Sequence, residues 1–245
     1  MQLYFIRHAQ STNNRLWLQT GAAAGRELDP TLTDTGQQQA RLLGVFLTHT
    51  SRFPGSTIYD PFNRAGFRLT HLYCSLMTRA VQTALIVAEV LDMPAVAWPE
   101  WHEGGGLYLT DETTGEPVGQ PGPNRAEFEE KFPQLTLPDT AGENTVGETG
   151  WWNRPYETEA ACRDRAREAV RALRERHGGT LDHVGIISHG AFYNYFMCEL
   201  LQIPYRSRLW LGLANTALTR VDFHEQSLEV IYTNRADHLP AELIS

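Results

Sequence analysis

The sequence predicts an α/β fold, a three-layer α/β/α sandwich with a mostly parallel central sheet. Two patterns predict it. Short apolar runs rich in β-branched and aromatic residues alternate with longer stretches whose apolar residues recur at helical spacing, and alternation of this kind produces parallel sheets covered by helices. The last two runs instead follow one another directly, as a hairpin on the sheet edge would. At 245 residues the chain is long enough to bury a sizeable core, and it is read as a single domain spanning 1–245.

In chain order, strands are expected at Gln2–Ile6, His71–Cys74, Ala95–Trp98, His183–Ile187, Ala217–Phe223 and Leu228–Tyr232. Helices are expected at Gly36–Leu47, where Ala40, Leu43 and Leu47 share a face, and at Thr78–Leu91, with Ala80, Ala84, Val87 and Leu91. Two more follow at Glu157–His177, around Ala166, Ala169 and Leu173, and at Phe192–Leu201. Residues 51–70 and 104–156 break the alternation with Gly, Pro and polar residues, allowing only a short helix near Arg125–Phe132. Long connections in compact domains tend to carry function, and the second is long enough to form a lid.

Composition narrows the function classes. No apolar run approaches the roughly 20 residues that span a bilayer, and the N-terminus shows no basic, apolar and small-residue signal pattern, so no membrane role and a cytoplasmic location are expected. A net charge of −8, with 21 Lys plus Arg dispersed along the chain, argues against nucleic acid as a partner. Any anionic substrate must be held by a local group of cations. Cys74, Cys162 and Cys198 show no paired spacing, which argues against a metal cluster and gives no reason to assign them chemistry. Oligomeric state is not legible.

Ligands of open α/β sheets bind beyond the carboxyl ends of the strands. Arg7 and His8 leave the first strand in "YFIRHAQSTNN", Arg79 follows the second in "SLMTRAVQTA", Glu100 and Glu103 follow the third in "EWHEGGG", and His189 leaves the fourth in "SHGAF". Each has an ordinary structural explanation when taken singly, the Ser-Thr-Asn run of the first being a plain turn. Their joint placement points to chemistry on an anion.

Together the segments resemble the histidine phosphatase superfamily, with its phosphoglycerate mutase-like fold. "RHAQSTNN" resembles the nucleophile motif, "DPTLTDTGQQQA" the stretch after it, "SLMTRAVQTA" the Ser-x-x-x-Arg motif and "ISHG" the second-histidine motif. The resemblance implies a phosphomonoesterase that uses no metal or cofactor, working on a small phosphorylated metabolite through a phosphohistidine and releasing inorganic phosphate. It assigns His8 as nucleophile and Arg7, Arg79 and His189 as groups around the phosphoryl oxygens. Asn14 stands where the family uses an Asn on phosphate, and Gly21 where it has a substrate-loop glycine. The proton donor is expected at Glu103, with Glu100 as the second choice.

Chemistry supports these roles, since a neutral imidazole is a competent nucleophile and arginine matches phosphate geometry. Ala9 and Gln10 depart from the family's Gly-Glu, and "AAAGREL" lengthens the wall between Gly21 and Asp29. A phosphoglycerate-type mutase is the alternative, but "HEGGGLYLT" lacks the mutases' Glu-Arg-x-Tyr-Gly stretch. A serine hydrolase would need Gly-x-Ser-x-Gly, and Ile186 breaks that pattern in "GIISHGA". A non-catalytic phosphoprotein-binding member is the third class. Trp151, Trp152, Arg154 and Tyr156 in "GWWNRPYE" are read either as a substrate pocket or as core packing.

Overall fold

The computed structural model describes residues 1–48, 60–139, 146–206 and 208–245. The chain begins with β1 (Gln2–Arg7), α1 (Thr12–Thr20), α2 (Asp34–Leu47), β2 (His71–Cys74), α3 (Thr78–Leu91) and β3 (Ala95–Ala97). A hairpin of β4 (Tyr108–Thr110) and β5 (Pro117–Gly119), the short α4 (Arg125–Lys131) and β6 (Leu135–Thr136) follow. The chain closes with α5 (Glu159–His177), β7 (His183–Ser188), α6 (Gly190–Leu200), β8 (Leu218–Phe223) and β9 (Leu228–Arg235).

The main sheet has the order β6-β3-β2-β7-β1-β8-β9. Pairing is parallel from β6 to β1, then antiparallel through β8 and β9. Because side chains alternate across a strand, Tyr4 and Ile6 of β1 join one core while Leu3 and Phe5 join the other. The first core is closed by Leu43 and Leu47 of α2 with Val81 and Val87 of α3, the second by Ala166 and Leu173 of α5 with Phe192 and Phe196 of α6. Burial on both faces explains why the central strands read as near-continuous apolar runs.

Three elements depart from the sequence expectation. The run after His8, read alone as a turn, starts α1: Ser11 caps it by accepting from the Asn14 amide, and Asn14 Oδ1 accepts in return from the Ser11 amide. The helix buries none of its residues and leaves Trp17 and Leu18 exposed, so it has no apolar stripe to read. Within 104–156 the β4–β5 hairpin turns on Asp111, whose carboxylate accepts from the Thr113 and Thr114 amides, and β6 adds a short parallel edge to β3. Much of that stretch packs rather than lying open, because Leu107, Phe128, Leu135, Trp151 and Trp152 belong to the core. Of the other insertion, 51–59 lies outside the described residues, while Phe67 is buried against Tyr4.

The turn after β1 is wedged against α2. A Cβ on Gly36, in the first turn of α2, would stand 2.1 Å from the Gln10 carbonyl oxygen. Gly36→Ala is therefore expected to push the helix off the turn at a cost of about 2–3 kcal/mol, lowering the melting temperature by roughly 5–10 °C. A thermal melt checks this, and an unchanged midpoint would show that the helix yields freely.

Candidate active site

A cavity of about 820 Å³ opens at the amino ends of the strands against Met1, Gln2 and His183, away from the strand-end histidines and arginines. A smaller one of about 320 Å³ opens at the carboxyl ends. It is lined by Arg7, His8, Asn14, Arg79 and Glu103, and His189 lies fully buried beside it, its ring centroid 5.0 Å from that of His8. Parallel pairing of β1 with β7 and of β7 with β2 is what carries these residues to one place.

His8 is held in one orientation. Its Nδ1 lies 2.7 Å from the Ala9 carbonyl, to which it donates, so Nε2 keeps its lone pair and accepts from Arg79 Nε at 3.1 Å. Burial, then Arg79 and Arg7, push the His8 pKa well below the ordinary 6.5 and keep the ring neutral. Three consecutive amides anchor the turn: His8 donates to the Ser188 carbonyl, Ala9 to Thr83 Oγ1 and Gln10 to Gln39 Oε1.

Around this nitrogen stand donors without acceptors. Arg7 gives Nη1 to the Leu213 carbonyl at 2.7 Å, yet its Nε is buried with no partner among the described residues. Ser75 Oγ, fully buried, accepts from the Met77 amide and lies 2.6 Å from His189 Nε2; with that nitrogen as the acceptor of the hydroxyl proton, the ring proton sits on Nδ1. Nδ1 is likewise buried and unpartnered. Asn14 Oδ1 already accepts from Ser11 and from Asn215 Nδ2, which leaves the Asn14 NH₂ to meet an anion. Gly21 ends α1 at φ 65°, with its amide on the Trp17 carbonyl, and does not line the cavity; Ala22 and Ala23 do.

Of the two carboxylates, Glu103 reaches the cavity and Glu100 does not line it. Glu103 Oε1 accepts from the amides of Gly104 and Phe192, at 2.9 and 2.8 Å, and Oε2 from that of Ala191, at 3.2 Å. The loop carrying it is pinned by Arg165, whose guanidinium donates to the Glu100 and His102 carbonyls while paired with Glu157 on both oxygens.

The family model of the histidine phosphatase superfamily (branch 1) matches residues 3–59 and 62–235. The chain belongs to the histidine phosphatase superfamily. Among solved structures, Bacillus stearothermophilus YhfR aligns over 97% of this chain and 98% of its own, with TM-score 0.56 and 20% identity. A mycobacterial glucosyl-3-phosphoglycerate phosphatase bound to VO3 gives TM-score 0.58 and 17% identity over 96% and 99%. A 2,3-bisphosphoglycerate-dependent phosphoglycerate mutase of Latilactobacillus sakei is 34% identical over 118 residues, a match spanning 46% of this chain and 42% of the mutase.

Several residues of this candidate site escape a reading by motif. Asn215 donates to the His8 carbonyl at 2.7 Å from a segment with no motif of its own. Asp29 receives the Thr78 amide and hydroxyl at the start of α3 and stands 4.0 Å from Arg79. Its place in "DPTLTDTG" was the available signal. Arg26 lines the cavity from the lengthened wall. Trp151 and Trp152 pack in the core around His102 instead of lining the cavity, which decides between their two readings. Ser188 is fully buried with Oγ donating to the Trp101 carbonyl, so it offers no nucleophile for a serine hydrolase.

His8, His102 and His189 are all pushed well below 6.5, chiefly by burial. The unfolded chain takes up protons near 6.5 that the folded histidine phosphatase refuses, so stability is intact above about pH 6.5 and declines below it. Each such group contributes up to about 1.4 kcal/mol per pH unit. Melting temperatures measured between about pH 7.5 and 5.5 should fall with pH. A flat profile would show that these rings accept protons without unfolding.

Proposed function

We propose that this chain is a phosphomonoesterase that passes the phosphoryl group of a small ester to His8 and then to water. The observation that carries this reading is the pairing of a nucleophilic lone pair at His8 Nε2 with buried, acceptor-less N–H groups at Arg7 Nε and His189 Nδ1. Arg79 and the Asn14 amide complete a set of donors for the phosphoryl oxygens. Such preorganised donors stabilise the charge that spreads over those oxygens in the transition state.

In the first step His8 Nε2 attacks phosphorus in line, the bond to the ester oxygen breaks, and Glu103 gives its proton to the departing alkoxide. In the second, the Glu103 carboxylate takes a proton from water as the water oxygen attacks phosphorus. The phosphorus–nitrogen bond breaks, its electron pair returns to Nε2, and inorganic phosphate leaves. The cationic side chains supply the charge neutralisation, so no metal or cofactor takes part. Gly21 acts only by turning the chain from α1 into the substrate wall.

A cavity of about 320 Å³ matches a metabolite rather than a macromolecule. The unpaired, buried thiols of Cys74, Cys162 and Cys198 support a cytoplasmic setting, and no helix among the described residues is long and apolar enough to cross a membrane. Hydrolysis of p-nitrophenyl phosphate should proceed unchanged in a chelator and be competed by vanadate. Activity lost to the chelator and restored by a divalent ion would refute the mechanism. The name of the partly matching mutase supports phosphoryl return to a second hydroxyl as the other reading. One inorganic phosphate released per ester consumed separates hydrolysis from that transfer.

A further inference from the structure

The wall between α1 and Asp29 carries a cation that the proposed chemistry does not use. Arg26 lines the cavity with its guanidinium over the Tyr108 ring, 4.3 Å from the centroid, and Tyr108 is backed edge-on by Tyr156 at 4.8 Å. From the other side, Asn13 of α1 clamps the neighbouring residue, donating to the Glu27 carbonyl and accepting from the Glu27 amide, both at 2.8 Å. The guanidinium is thus set in place before any ligand arrives.

What it is set in place for is not found among the described residues. Arg26 Nε is buried without an acceptor, and among the described residues no carboxylate forms an ion pair with this side chain. The two other buried, acceptor-less nitrogens at this site, Arg7 Nε and His189 Nδ1, are those assigned above to the phosphoryl group. Arg26 also repels Arg79. That repulsion is relieved when a ligand brings more negative charge than the phosphoryl group alone.

We infer that Arg26 determines specificity for the leaving group, by binding a second anionic group, carboxylate or phosphate, on the organic part of the phosphomonoester. The inference rests on the phosphatase reading above. Arginine suits the task because its planar fork meets either anion with paired donors.

The test compares phosphoglycolate and ethanediol bisphosphate with their neutral match, 2-hydroxyethyl phosphate, each as kcat/KM. The wild-type enzyme is expected to prefer at least one of the two anionic esters by about tenfold or more, and the preferred one identifies the second anion. In Arg26→Gln the ratio of anionic to neutral ester should fall by about ten- to a hundredfold, as for loss of a charge-assisted hydrogen bond. Arg26→Lys, which keeps the charge but not the fork, should retain part of the preference. An Arg26→Gln ratio equal to that of the wild type, or a wild-type enzyme that favours the neutral ester, would overturn the inference. If p-nitrophenyl phosphate is still hydrolysed in that case, the phosphatase reading survives it; if no ester is turned over, both fall.

Discussion

His8→Ala is expected to lower turnover of any phosphomonoester by about 10⁴-fold or more, the scale on which covalent nucleophiles fail when removed. The magnitude follows from the site's construction. Nδ1 is tied to the Ala9 carbonyl, Nε2 carries the lone pair beside Arg79, and burial with Arg7 and Arg79 keeps the ring unprotonated. No other unprotonated nitrogen lines the cavity among the described residues. Quenching wild-type turnover in alkali should trap phosphate on the protein in acid-labile, base-stable form, and His8→Ala should show none. Circular dichroism of the variant should match the wild type, because backbone amides anchor the turn. A variant that folds and keeps substantial turnover would refute the phosphohistidine mechanism.

The second large effect concerns Glu103→Gln. An alkoxide must be protonated as it leaves phosphorus, whereas a nitrophenolate departs unaided. Alkyl phosphates should therefore slow by about 10²–10⁴, with aryl phosphates slowing less at the phosphorylation step. Glutamine keeps an oxygen for the Phe192 and Gly104 amides, loses the acceptor at the Ala191 amide and holds no transferable proton, so the ratio of alkyl to aryl ester turnover, which loop position alone would not move, reads the chemistry. Glu100→Gln should be near normal, since Glu100 does not line the cavity. Exchanged behaviour of the two variants would move the proton donor to Glu100. Equal slowing of both ester types by Glu103→Gln would place its role in water attack alone.

Where an element buries a face, its residues announce it. Helix α3 covers Thr78–Leu91 as the spacing of Ala80, Ala84 and Val87 predicts, and strands β1, β2, β3 and β7 lie within a few residues of the expected runs because their burial makes them largely apolar. Helix α1 was illegible for the opposite reason. It buries nothing, and its start is written in a reciprocal Ser11–Asn14 cap that also reads as a turn. Arg7, His8, Arg79, Glu103 and His189 were legible in the sequence because each follows an expected strand, and the carboxyl ends of parallel strands lie at one edge of the sheet. Asn215, which holds the His8 carbonyl, and Arg26, which lines the cavity, were invisible because they come from segments whose direction is set by tertiary packing. The two tryptophans stayed open between pocket and core for a related reason: an aromatic pair before a helix says nothing about which side it faces.

The anchored turn after β1 has a kinetic consequence. The amides of His8, Ala9 and Gln10 are bonded to three separate elements, β7, α3 and α2, so none can open to solvent unless those elements part. Their hydrogen exchange should run only through global unfolding, in the slowest class of the molecule. The wall bearing Arg26 is clamped chiefly by the side chain of Asn13, and its amides belong to a faster, local class. The molecule thus separates a stiff reaction centre from a pliant border, so heat should blunt discrimination between esters at temperatures where phosphoryl transfer itself still runs at full rate.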